Sequence, residues 1–361
     1  AALAAGEPAA DVVTGQTRAE GTGRTVFVLP GQGSQWVGMG RELAGASPVF
    51  AARLAECAEA LAPYVDWQLD DVLAGLHGFE AADVVQPALW AVMVSLAAVW
   101  EAAGVVPDAV VGHSQGEIAA AVVAGSLSLA DAAKVVALRS RTLTALAGRG
   151  GMMAVDGAAD TVRGWLEPFG ERLSVAAVNG PSATVVAGDP DALHELAALH
   201  PDVRTRVLPV DYASHSAHVE ELREDVTAAL EGIEPRTARI PMVSAMDGRR
   251  LAGPELDPAY WYASLRETVE FARAVRTLGD DGYDTFVEVS PHPVLAMAVG
   301  EELADRDPVV VGTLRRDDGG AARLLASLGE AYAHGAPVDW TAVLPRAERA
   351  DLPTYAFQRG R

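Results

Sequence analysis

The sequence predicts an α/β fold in which a small unit of element order βαββαβ is inserted into a larger domain of alternating strands and helices. Three observations predict it. Apolar strands run twice into glycine-bearing turns that open helices, at Thr25–Pro30 before Gly31-Gln-Gly-Ser-Gln35 and at Asp108–Val111 before Gly112-His-Ser-Gln-Gly116. Between about Gly151 and Val210 the pattern becomes strand, helix, strand, strand, helix, strand, which is the ferredoxin-like order. A chain of 361 residues, 50% hydrophobic, can also bury one large core and a smaller one.

The elements follow in order. The first 24 residues, rich in Ala, Gly and Thr, have no basic start followed by an apolar core, so they read as linker rather than as a secretory leader. Gln86-Pro87 is expected to open an apolar helix, with Pro at an early position where its missing N–H costs little. The apolar run Ala88–Trp100 that follows is too short to cross a membrane and suits a buried helix. Glu117–Ala124 reads as the helix leaving the second glycine turn, and Ser128 with Asp131 starts another that runs to about Leu146. In the inserted unit, 151–210, the strands are Met152–Val155, Leu173–Val178, Thr184–Ala187 and Arg204–Val210, and the helices Thr161–Phe169 and Asp191–Leu199. The larger domain, 25–150 and 211–316, resumes with a helix after His215, a strand at Thr285–Val289 and a turn at Ser290-Pro-His-Pro293. From 317 onward there is a helix, Ala321–Ala333, and a final extended stretch, Leu352-Pro-Thr-Tyr-Ala-Phe-Gln358.

Charge narrows the function. A formal net charge of −21 opposes a phosphate-binding surface, so neither nucleic acid nor anionic membrane is an expected partner. The single cysteine, Cys57, excludes an internal disulfide and gives no metal cluster, and no metal site is expected. Together these features imply a soluble, cytoplasmic protein.

Gly112-His-Ser-Gln-Gly116 fits G-x-S-x-G in the strand, sharp turn, helix context that exposes a serine oxygen, which makes Ser114 a candidate nucleophile. A hydroxyl needs a base to attack well. Of the eight histidines, His215 stands out because Asp211-Tyr-Ala-Ser-His215 lies at the return from the small unit to the large one, where a loop can overhang a cleft; His218 competes, and a surface histidine at a helix start is an equal reading. Arg139 falls in the apolar stripe of Ala132, Val135, Val136, Leu143 and Leu146, whereas Arg141 falls on the opposite side. A buried guanidinium needs an anion, which is either a protein carboxylate or a substrate carboxylate held bidentate. The Gly31 turn lacks the Lys-Ser/Thr of a phosphate loop, so nucleotide binding is set aside. Its backbone N–H can instead be an oxyanion donor.

Gly31-Gln-Gly-Ser-Gln-Trp36, Gly112-His-Ser-Gln-Gly-Glu117, Arg139, Tyr212-Ala-Ser-His215 and Ser290-Pro-His-Pro-Val294 together resemble the acyltransferase domains of modular polyketide synthases, relatives of malonyl-CoA:acyl carrier protein transacylases. The likeness runs in order from about Val26 to the C-terminus. It implies an α/β-hydrolase-like large subdomain carrying the ferredoxin-like one, with Ser114 acylated and His215 as its base. It also implies an oxyanion hole from the backbone N–H groups of Gln32 and Gln115, and Arg139 on the free carboxylate of a malonyl-type extender unit. In such domains a backbone carbonyl orients the histidine, and Asp281-Gly282 is the candidate segment here. No tightly bound cofactor is implied: acyl-CoA is the substrate, and phosphopantetheine arrives on the acyl carrier protein.

Tyr212, Ala213 and Ser214 before the base resemble methylmalonyl-selective domains, whereas His-Ala-Phe-His accompanies malonyl. Ser214 in place of Phe leaves room for an α-methyl, worth about 1–3 kcal/mol of discrimination. Gln115 and Asp83-Val-Val-Gln86 agree, so the implied extender is (2S)-methylmalonyl, with malonyl, ethylmalonyl or a larger branch as alternatives. Trp90 stands where Phe is expected. The final Leu352–Arg359 resembles the linker that packs back on the ketosynthase of the same synthase. Two other classes compete: a serine thioesterase or hydrolase that delivers the acyl group to water, and a non-catalytic docking domain.

Overall fold

A computed structural model of the protein describes residues 12–15 and 23–344. The C-terminal segment expected to be extended, and most of the expected N-terminal linker, lie outside the described residues. Among those described, ten strands form two sheets: β1 (Arg24–Leu29), β2 (Ala109–Gly112), β3 (Gly151–Asp156), β4 (Leu173–Gly180), β5 (Ala183–Gly188), β6 (Thr205–Val207), β7 (Met242–Val243), β8 (Arg250–Leu251), β9 (Tyr283–Glu288) and β10 (Val309–Gly312).

The larger sheet has the order β10-β9-β1-β2-β7-β8, parallel except for β7 with β8. Its central strands are nearly continuous apolar runs because helices cover both faces. Alternation divides them: Val26, Val28, Ala109 and Val111 pack with Phe271 and Leu278 on one face, while Phe27, Leu29 and Val110 join Trp90 and Trp100 on the other. The turns after β1, β2 and β9 therefore gather at the carboxyl ends of adjacent strands, where open α/β sheets bind ligands.

On the Trp90 face lie helices α1 (Pro48–Leu61) and α2 (Ala82–Ala102), followed by α3 (Gly116–Ala124) and α4 (Leu129–Leu143). Helix α2 corrects the expected start at Gln86-Pro87. It begins at Ala82, so Pro87 lies inside it. The proline removes the N–H that would pair with the Asp83 carbonyl in the first turn, and the apolar packing around α2 outweighs that one bond. At 21 residues α2 is long and apolar enough to cross a membrane, but 83% of its most apolar window is buried inside the protein, as befits a core helix.

The smaller sheet has the order β4-β5-β3-β6 and is antiparallel throughout, which is the ferredoxin-like arrangement of βαββαβ. Its helices are α5 (Ala159–Leu166) and α6 (Pro190–Leu199). Helix α5 ends before the expected Phe169 because Pro168 turns the chain into a 3-10 segment. Strand β6 is shorter than Arg204–Val210 because it pairs only with Met153–Val155 at the sheet edge. Two helices of the large domain complete the frame of the site, α7 (Pro258–Arg266) and α8 (Phe271–Asp280). Between them, Val269 bonds to Ala176 and Val178 of β4 at 2.9 and 2.8 Å, joining the two subdomains beside the site.

Candidate active site

Ser114 sits between β2 and α3 with φ +53°, in the left-handed region that a side chain occupies at a cost of about 1–2 kcal/mol. Two glycines make that turn possible. A Cβ on Gly112 would meet the Glu117 nitrogen at 2.2 Å, and one on Gly116 the Leu29 carbonyl oxygen at 2.1 Å. Both obstacles are backbone and cannot swing aside. Gly116→Ala is therefore expected to lower unfolding free energy by about 2 kcal/mol or more in denaturant titration. Gly300→Ala, where an added methyl meets nothing within 4 Å, should be neutral or slightly stabilising.

The turn places the Ser114 hydroxyl 2.8 Å from His215 Nε2, across 101 residues of sequence. His215 is buried, with φ +57°. Its Nδ1 lies 2.8 Å from the carbonyl oxygen of Glu267, which makes Nδ1 the protonated nitrogen and leaves the Nε2 lone pair facing the serine. Glu267, rather than the expected Asp281-Gly282 segment, thus orients the ring. The Asp281 side chain is engaged with Arg250, and its carbonyl accepts from Arg24, at the amino end of β9 and away from the carboxyl ends where the site lies. Burial pushes the His215 imidazole down to about 3, against the Glu267 hydrogen bond and with help from the charge of Arg139. The competing His218 faces Asp189 of the small subdomain at 3.3 Å. His113, beside the serine, pairs through Nε2 with Asn179 of β4 at 2.8 Å.

The Gly31 turn lies against this elbow: a Cβ on Gly31 would reach the His113 carbonyl oxygen at 3.2 Å and Ser114 Cβ at 3.6 Å. Trp36 Nε1 donates to the Pro291 carbonyl at 3.0 Å, tying the turn to Ser290-Pro-His-Pro293. Glu288 holds that second loop by accepting from the backbone N–H groups of Val294, Leu295 and Ala296. The backbone N–H groups of Gln32 and Gln115 have no hydrogen-bond acceptor among the described residues. The Gln32 side-chain oxygen accepts from Tyr212 and, at 3.0 Å, from Gln86. Tyr212 is thereby fixed, Ala213 is buried, and the Ser214 hydroxyl donates to Met152 Sδ of β3 at 3.5 Å. A surface groove of about 540 Å³ along Leu208–Tyr212 and Glu80–Ala82 touches, among the site residues, Tyr212 alone.

Arg139 is fully buried, and its Nε donates to the Trp261 carbonyl at 3.3 Å. Its Nη1 and Nη2 have no partner among the described residues, and among those residues Arg139 has no ion pair within 4.0 Å. Burial pulls the guanidinium down to about 10, offset in part by the more distant charge of Glu117. The protein-carboxylate alternative for Arg139 is thus not realised. Leaving two charged donors buried and unpaired costs several kcal/mol, and a carboxylated ligand would recover it. Trp90 is also fully buried with an unpartnered Nε1, as is the whole side-chain amide of Gln115.

Sequence reading did not single out Glu117, Asn179, Tyr260 or Met152, nor the carbonyls of Glu267 and Trp261. Glu117 had a signal, being the one charge in Gly116–Ala124. A carbonyl has none, because every residue carries one.

Known proteins place this geometry. The family described as Acyl transferase domain matches residues 26–338. Polyketide synthase GfsE of Streptomyces halstedii is 58% identical over the whole chain, which spans 10% of that protein's length. The acyltransferase domain from module 8 of the salinomycin polyketide synthase superposes with a TM-score of 0.92 at 59% identity, covering 94% of this chain and 82% of that one. The acyltransferase domain of SpnD, in complex with 2-(pent-4-yn-1-yl)malonyl, gives 0.85 at 32% identity, covering 96% and 82%. With its α/β core and the ferredoxin-like unit, the chain belongs to the acyl transferase domain family, in the form found in modular polyketide synthases.

Proposed function

We propose that the chain moves a carboxylated extender unit, (2S)-methylmalonyl, from coenzyme A to the phosphopantetheine thiol of an acyl carrier protein through an acyl-Ser114 intermediate. The observation that carries this reading is Arg139, whose buried Nη1 and Nη2 have no partner among the described residues and whose charge acts on His215. A planar guanidinium with two open donors matches a carboxylate and adds nothing for a simple acyl group.

In the forward step Ser114 Oγ attacks the thioester carbonyl while His215 Nε2 takes its proton; the oxyanion rests on the N–H groups of Gln32 and Gln115. The C–S bond then breaks, and Nε2 returns the proton to the departing CoA thiolate. In the second step the carrier thiol gives its proton to Nε2 and attacks the acyl-serine, and the Ser114 oxygen leaves with that proton. The reaction needs no tightly bound cofactor. A ketosynthase of the same synthase is the further partner. The Glu267 carbonyl supports transfer over a thioesterase, which usually orients its histidine with a carboxylate; the Arg139–carboxylate pair fixes the acyl group where water attacks poorly.

Selectivity for the α-branch rests on the short Ser214 against Met152 and on Tyr212 pinned to Gln32, with the buried Ala213 and Gln115 as the further selectivity residues. A competition among malonyl-, methylmalonyl- and ethylmalonyl-CoA, read as acyl-enzyme mass, tests it. Methylmalonyl is expected to lead by about tenfold or more, since one methyl is worth about 1–3 kcal/mol. A malonyl excess contradicts the assignment.

The base also predicts a pH profile. A histidine held near 3 is neutral, and therefore competent, at every pH above that value. The maximal acylation rate should stay flat from about pH 5.5 to 8, with no fall through the ordinary histidine value near 6.5. Stopped-flow release of CoA measures it, and a limb centred near 6.5 contradicts a buried neutral base.

A further inference from the structure

Glu117 follows Gly116 at the first turn of α3 and is 1% exposed. Its Oε1 accepts from the Ala245 backbone N–H at 2.8 Å and its Oε2 from the Tyr260 hydroxyl at 3.1 Å. The next residue on α7, Trp261, holds Arg139 through its carbonyl. Two consecutive residues thus fix a buried carboxyl and a buried guanidinium within electrostatic reach, without direct contact. The other polar groups around Glu117 are the hydroxyls of Ser244 and Ser264, and Arg249 acts on Tyr260 from further out.

In the empty site Glu117 acts on Arg139 only through space and leaves its Nη1 and Nη2 open. An acyl carboxylate seated on Nη1 and Nη2 makes two anions for one cation in a dry pocket, and like charges there cannot both stay ionised. The newcomer holds the direct hydrogen bonds. Glu117 is the group left to neutralise, and burial has already pushed its carboxyl up to about 7.

We infer that Glu117 is a positioning residue that takes up a proton from solvent when a carboxylated acyl group pairs with Arg139, so that substrate binding is coupled to protonation of this buried carboxyl. The inference rests on the proposed role of Arg139. It makes the affinity for carboxylated acyl groups alone depend on pH, because an acyl group without a carboxylate leaves Glu117 as it was.

Calorimetric titration of the non-reacting Ser114→Ala protein with methylmalonyl-CoA and with propionyl-CoA, at about pH 8 in buffers of different ionisation enthalpy, reads the proton directly. Methylmalonyl-CoA is expected to bring in a sizeable fraction of a proton more than propionyl-CoA, the phosphates being common to both. Its Kd should also weaken as pH rises above about 7 while that of propionyl-CoA holds. Glu117→Gln should remove the extra proton and the added pH dependence while leaving methylmalonyl-CoA preferred. If that variant does not fold, Tyr260→Phe strips one hydrogen bond from the ionised carboxylate. It should move the pH dependence upward and shrink the uptake at pH 8. Equal uptake for the two ligands, with methylmalonyl-CoA still preferred, overturns the coupling and leaves the Arg139 reading standing. Extra uptake that persists in Glu117→Gln overturns it as well. No preference for methylmalonyl-CoA in the parent protein overturns both.

Discussion

Ser114→Ala is expected to leave no acyl adduct after incubation with methylmalonyl-CoA, and to reduce transfer to carrier by about 10⁴-fold or more. The size follows from the path. Without the oxygen there is no covalent intermediate, and the turn at φ +53° positions nothing else that can attack. His215→Ala should lose nearly as much, and the double variant little more, because the 2.8 Å pair acts as a unit. Steady-state transfer to holo-carrier checks all three. A double loss equal to the product of the single ones contradicts a shared step.

Arg139→Ala is expected to lower kcat/KM for methylmalonyl-CoA by about 10²–10⁴-fold, since losing one partner of a buried charge pair costs about 3–5 kcal/mol. For propionyl-CoA the same change should be small or favourable, because the unpaired Nη1 and Nη2 disappear with the side chain. The ratio of the two substrates is therefore the reading to take. Equal losses for both would assign Arg139 to scaffolding through its Trp261 contact.

Most of the frame was legible because its signals are local. Val26 to Leu29 and Ala109 to Gly112 are buried on both sides, and such strands leave a plain apolar run ending in glycine. The βαββαβ order survived with boundaries shifted by a few residues, and Pro168 explains the largest helical shift. The first turn of α2 was missed because Ala82–Val85 carries no cap, and proline was read as a starter when packing kept it inside. Strands β7 and β8 escaped because two residues each show no period, and β10 was missed although it is an apolar run ending in glycine like β2.

The site divides along the same line. Ser114 and Arg139 announced themselves locally, one by glycine spacing and the other by a charge on an apolar stripe. His215 did not, because local reading left it level with a surface histidine, and the resemblance alone raised it. The groups that hold these residues, such as the Glu267 and Trp261 carbonyls, belong to contacts across 52 and 122 residues that no local pattern encodes.

The central claim is that an acyl group waits on Ser114 for a carrier thiol. The direct measurement is intact-protein and peptide mass after loading with methylmalonyl-CoA, followed by a chase with carrier protein with and without its phosphopantetheine arm. The account predicts one methylmalonyl group on the Ser114 peptide, passed quantitatively to holo-carrier and retained against apo-carrier. An adduct on another residue, or discharge to free methylmalonic acid at the same rate whether or not holo-carrier is present, would contradict it.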